Sequence, residues 1–165
     1  MNSKLSTELI TKSLERQFAS CWQMLEAAMA SVTDDKWHSG VGKWHFSLTA
    51  YHVVETAQFY MSSDPDAMKW GARAGYGWRE GIDIEKEILP KLTRDLVRAY
   101  LEETRGRLTG VLKSMSAEDL LKKDGFYWFG SVLERLVYLL RHTAHHIGEL
   151  IKTLRDWDCD SVKWS

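Results

Sequence analysis

The sequence predicts an all-α protein, a four-helix bundle. Three observations carry that expectation. Apolar residues recur at helical spacing over four separate segments, each long enough for several turns. The only two prolines, Pro65 and Pro90, sit mid-chain and leave both flanks free to be helical. No run alternates apolar and polar residues as a half-buried strand does. A length of 165 residues fits one domain, residues 1–165, with enough chain for a sizeable core.

The first helix is expected over residues 6–29, where Leu9, Leu14, Phe18, Trp22, Leu25 and Met29 form an apolar stripe. Residues 32–43 hold turn formers and two glycines and read as a loop. The second helix is expected over 47–61, with Leu48, His52, Glu55 and Phe59 on one face and Ser62-Ser63-Asp64-Pro65 ending it. Residues 64–90 are irregular, with Gly71, Gly75, Gly77 and Gly81 among Trp70, Tyr76 and Trp78, and a short helix is expected over 84–89. Connections this long are uncommon in compact folds; they serve a function or cross over a bundle. The third helix is expected over 93–115, with Leu96, Tyr100, Thr104, Leu108, Val111 and Leu112 to one side. Ser116-Ala-Glu-Asp119 has the form of a capping box and predicts a further turn of helix. An aromatic knot, residues 125–130, breaks the pattern. Ser131-Val-Leu-Glu134 repeats the capping signature and opens the fourth helix, 132–156.

Bulk composition narrows the function classes. The chain is 44% hydrophobic and 27% charged, as soluble globular proteins are. Its net charge of -1 and scattered Lys and Arg offer no footprint for nucleic acid or an anionic membrane. No segment approaches the roughly 18 apolar residues of a membrane span. The opening MNSKLSTELI lacks a signal peptide's apolar run, so a cytoplasmic protein is expected. Cys21 and Cys159 are isolated, forming neither a disulfide framework nor a C-x-x-C motif. Eight tryptophans suit a core, and equally the walls of a small-molecule pocket.

The stretch RHTAHHIGEL, residues 141–150, holds three of the six histidines. His142 and His146 differ by about 40° around a helix axis and about 6 Å along it, so both imidazoles reach one point. Helices commonly present two imidazoles to a metal at this spacing. A His142/His145 pair is also permitted, as is a hydrogen-bonded histidine stripe with no metal. His52, on an otherwise apolar helical face, is the best third ligand. His45 and His38 read as exposed or as pocket rim. Glu55 and Glu149 read either as surface or ion-paired residues, or as acceptors that orient the imidazoles. A di-iron reading fails on order: such bundles use Glu-x-x-His, whereas His52-Val-Val-Glu55 and His146-Ile-Gly-Glu149 run the other way. Trp44, Phe126, Tyr127 and Trp128 are expected as aromatic pocket walls, or as caps on the bundle core.

Two blocks resemble those of a known family. Trp44, Ser47, Leu48, His52 and Glu55 are similar to the second-helix motif of the DinB/YfiT-like metalloenzymes. Arg141-His142-Thr-Ala-His145-His146-Ile-Gly148-Glu149-Leu150 resembles their last-helix motif. The resemblance covers nearly the whole chain. It implies an up-down-down-up bundle, with residues 64–90 as the long crossover between helices two and three. It implies a divalent-metal triad of His52, His142 and His146, choosing His146 over His145, with zinc or nickel as the expected ion. His145 then falls beside the site, and Gly148 suits close helix packing there. Characterised relatives include thiol-dependent transferases and isomerases that use low-molecular-weight thiols such as bacillithiol or mycothiol. The expected partners are therefore a small-molecule substrate and such a thiol. Metal-dependent hydrolysis is a variant of the same chemistry. The rival reading is a non-catalytic, metal-stabilised interaction bundle, with homodimer formation as its natural corollary.

Overall fold

The computed structural model describes residues 3–160 and 162–164. Its long helices are α1 (Ser3–Ser31), α2 (Phe46–Met61), α3 (Arg94–Ser114) and α5 (Val132–Asp156), with a short α4 (Ala117–Leu121) between the last two. No strand occurs among the described residues. Helix starts are built as the sequence directs. The Thr93 side chain accepts from Leu96 N, and Ser116 and Asp119 form a reciprocal capping box. The second capping signature is half made. Ser131 accepts from Glu134 N, but the Glu134 carboxylate takes Gly130 N at 2.6 Å instead of closing the box.

Contacts at the ends fix the direction of each helix. Arg94, opening α3, donates to Met29 O and Val32 O at the end of α1, so these helices are antiparallel. Arg135, near the start of α5, donates to Ser62 O just past α2, while Phe46 packs on Trp157 at the opposite end. Hence α2 and α5 are antiparallel too. Lys36, after α1, reaches Trp157 O after α5, which sets those two helices parallel. The order is therefore up, down, down, up. In cross-section α5 lies between α1 and α2, and α3 lies between them on the other side. One apolar cluster runs through the middle, with Phe18, Trp22, Tyr51, Leu101, Leu108 and Leu139 all deeply buried.

Three details differ from expectation. Leu9 is 56% exposed, because the stripe of Leu14, Phe18 and Leu25 extrapolates back to Thr11 and Thr7, which leaves Leu9 roughly 160° away on the opposite face of the helix. His45 is buried, its Nδ1 bonded to Gly42 O where the chain turns into α2. Residues Ile84–Ile88 form one turn of π-helix rather than α-helix, closed at the start by Asp83, whose carboxylate accepts from Lys86 N.

The crossover between α2 and α3 is folded back against the bundle. Gly71 sits at φ 77°, and a Cβ there would lie 2.5 Å from the Tyr76 ring. Only glycine allows that close pass. At the other end of the bundle, the aromatic knot is anchored by a buried ion pair. Arg135 Nη1 lies 2.7 Å from Asp124 Oδ2, and its guanidinium stacks 4.6 Å over the Phe126 ring.

Candidate metal centre

His52 is in the middle of α2, and His142 and His146 lie one turn apart on α5, the helix packed against it. The antiparallel pairing brings the three rings together at one level of the bundle. Ring centroids are 5.2 Å apart for His52 and His142, 5.0 Å for His52 and His146, and 4.5 Å for His142 and His146. One nitrogen from each lies within 4.8 Å of the other two. The Nε2 atoms of His142 and His146 are 3.2 Å apart. Two nitrogens on a tetrahedral zinc ion at roughly 2.0 Å would stand about 3.3 Å apart, so this pair already has a ligand spacing.

The protonation states suit a cation. Burial pushes His52 down to about 4, helped by the neighbouring His146 and Lys43. Burial pushes His142 down to about 3, helped by His146 and His52. Both rings are neutral at pH 7 and keep a lone pair free. Glu149 Oε2 accepts from His146 Nδ1 at 2.6 Å, which holds the proton on that nitrogen and leaves Nε2 as the donor atom toward a metal. His142 Nδ1 is buried without a protein partner among the described residues. The residues therefore fit a divalent ion in donor type, spacing and charge.

The neighbours divide in two. Glu149 touches the cluster, and its other oxygen reaches the exposed His145 at 3.2 Å. His145 thus belongs to a secondary group with His146 and Glu149, outside the three-histidine set. Glu55 does not orient an imidazole. Its Oε1 accepts from Tyr51 Oη at 3.0 Å and from Gly71 N at 2.6 Å, tying α2 to the crossover. Burial raises its pKa, against the lowering effect of those two donors. Gly148 faces solvent, and a Cβ there would meet nothing, so close packing does not account for it.

A cavity of about 410 Å³ opens against His52 and His146. Trp44 lines it, its ring 6.2 Å from that of His146, with Lys43 stacked 4.9 Å above the same indole. Trp128 does not line it. That ring meets Phe126 and Tyr127 edge-on and Phe129 at a tilt in the aromatic knot, whose nearest link to the cluster is Tyr138, 6.1 Å from His142. The other aromatic walls are Tyr51 of α2 and Trp70, Tyr76 and Trp78 from the crossover. The sequence held a signal for the crossover rings, three aromatics interleaved with glycines in a long connection, but not the fold-back that brings them to the histidines.

Fold and site together define a class: helical bundles in which histidines of two antiparallel helices form a cluster that could hold one metal ion beside a cavity. The chain belongs to the DinB superfamily, whose family model matches residues 17–150. No curated protein and no solved structure matched the chain. The superfamily is metal-associated, and membership together with the histidine cluster is compatible with a metal-dependent enzyme. No helix among the described residues is long and apolar enough to cross a membrane.

Proposed function

We propose that the protein is a metal-dependent transferase, in which His52, His142 and His146 hold one divalent ion, zinc or nickel, and the substrates are a low-molecular-weight thiol and an electrophilic small molecule. The observation that carries this reading is the cavity against His52 and His146. Structural zinc sites are closed by four protein ligands, whereas catalytic ones keep three and leave room for a reactant. Among the described residues three nitrogens converge here, and the space beside them is walled by side chains suited to a small organic molecule.

When bound, the ion would supply a thiolate near neutral pH by lowering the thiol's pKa. The protein's own share is positional. Glu149 fixes the tautomer of His146, burial keeps His52 and His142 neutral, and the aromatic walls exclude water from the reacting atoms. The sulfur–carbon bond forms as the bond from carbon to the leaving group breaks. The thiol proton leaves to solvent.

The test is turnover of a chromogenic aryl halide by zinc- and nickel-loaded protein, with cysteine, glutathione and bacillithiol in parallel. Thiol-dependent turnover that His142→Ala abolishes supports the proposal. Turnover of ester substrates without any thiol would instead favour the hydrolase. No turnover with any thiol or ester, in protein that retains stoichiometric metal, would favour the interaction bundle and its homodimer.

A further inference from the structure

Glu55 is 2% exposed, yet it lines the cavity. A carboxylate is rarely buried to that degree without a cation. Among the described residues none of the ion pairs involves it. Both of its hydrogen bonds, from Tyr51 and Gly71, fall on Oε1, and Oε2 accepts none. Beside it, Tyr76 is 7% exposed and lines the same cavity, and its buried hydroxyl has no partner either. Buried polar atoms in native proteins are nearly always satisfied. The unsatisfied Tyr76 hydroxyl, beside a carboxylate with one oxygen free of hydrogen bonds on the same cavity wall, points to a group that arrives from outside.

The surrounding faces are aromatic. The Tyr51 and Tyr76 rings are 6.0 Å apart at 47°, and Trp78 stands at 88° to Tyr76 with centroids 5.6 Å apart. We propose that this end of the cavity is a binding subsite for an organic ammonium group, held by Glu55 Oε2, the Tyr76 hydroxyl and the faces of Tyr51, Tyr76 and Trp78. An ammonium has three donors. One would complete the carboxylate, a second the phenol oxygen, and the ring faces attract the charge directly. A neutral ligand would leave the buried carboxylate without its counter-ion, and an anion would be repelled by it.

The inference rests on the proposed metal reading for the other end of the ligand and narrows its substrate class. Along α2, Glu55 follows His52 by three residues, a rise of about 4.5 Å. A substrate seated on both would be a small primary amine whose reacting atom lies a few bonds from the nitrogen. Lys43, the one Lys or Arg on the cavity wall among the described residues, belongs to the turn before α2 and so lies toward the opposite end from Glu55.

Calorimetric titration with n-butylammonium, n-butanol and butanoate tests the subsite, on metal-free and zinc-loaded protein. Butylammonium should bind roughly tenfold or more tightly than butanol in both forms, the margin of one charge-assisted hydrogen bond with a cation–π contact. Glu55→Gln, which keeps an acceptor for Tyr51 and Gly71, should erase that preference. Tyr76→Phe should reduce it with no loss of thermal stability, because the hydroxyl bonds nothing in the protein. Equal or tighter binding of butanol or butanoate, no binding of any probe, or a preference unchanged in Glu55→Gln would overturn the proposal. If Glu55→Gln does not fold, an unchanged preference in both Tyr76→Phe and Trp78→Leu overturns it. The metal-free arm keeps the two proposals separate. Ammonium preference in a protein that takes up no metal would sink the transferase alone, and thiol turnover without ammonium preference would sink the subsite alone.

Discussion

Replacing Glu149 by alanine should weaken metal binding without disturbing the bundle. The carboxylate accepts from His146 Nδ1 at 2.6 Å, and removing it frees the ring to rotate and to change tautomer. Losing such a partner typically costs 10–100-fold in metal affinity, about 1.4–2.7 kcal/mol. The Glu149 side chain is 38% exposed, so water can replace the carboxylate in the variant. That places the loss in the lower half of the range, at roughly tenfold to thirtyfold. Glu149→Gln keeps a neutral acceptor and should lose only about threefold to tenfold. The position is on α5, where alanine is the better helix former, so the fold should be retained. Competition for zinc against a colorimetric chelator, at fixed pH and salt, reads the effect. An alanine variant within about twofold of the parent would refute the claim that this contact holds His146 for a metal.

Other consequences are equally direct. His142→Ala should abolish stoichiometric metal by elemental analysis of tag-free protein, while His145→Ala, outside the three-histidine set, should retain it; the reverse pattern would show that the ligand set is different. Glu55→Gln should stabilise the fold at neutral pH. The folded-state pKa of Glu55 is raised by burial, so the wild type binds more protons folded than unfolded and loses stability as pH climbs through that pKa. The advantage of the glutamine variant in urea denaturation should therefore fade as pH falls through that raised pKa and be gone below roughly 4.3, and an advantage independent of pH would contradict this. Gly71→Ala should destabilise by about 2–4 kcal/mol, because it combines a positive φ with a Cβ set against the Tyr76 ring; a cost below about 0.5 kcal/mol would show that the crossover yields easily. Chelator-treated protein should keep its helical dichroism and a cooperative melt at a lower temperature, since the core is independent of the cluster. Random-coil dichroism at room temperature would make the ion structural.

Most of the helical framework was legible in the sequence because it is written in local signals. The capping residues Thr93, Ser116 and Ser131 mark helix starts, and the ends of α2 and α5 fall where the periodicity stops. The convergence of His142 and His146 is legible for the same reason, since i, i+4 spacing is a property of one helix. The convergence of His52 on them is a tertiary fact, and the sequence supplied only candidates for it. What escaped is long-range. The bond from Gly71 to Glu55 joins residues that no local pattern couples, and it turns a presumed partner of the imidazoles into a wall of the cavity. Trp128 shows the opposite error. Closeness in sequence to the start of α5 suggested closeness to the site, but the knot packs through Phe126 and Phe129 against Tyr60 and Tyr138, toward the start of that helix.

The stitching of Gly71 to Glu55 also bears on how such a protein can change over generations. The histidines stand on two long helices whose register is set by the whole core, so drift there is punished by unfolding. The rings that face an incoming molecule are carried mainly by a connection that contributes far fewer residues to that core. Between the two lies a tether of one backbone amide on one carboxylate oxygen, beside the ring contacts of Tyr76 on Tyr51 and Trp70 on Phe59. A lineage could therefore rewrite residues 72–83 and acquire a new clientele while its reactive end stayed untouched, provided the glycine at the tether survived.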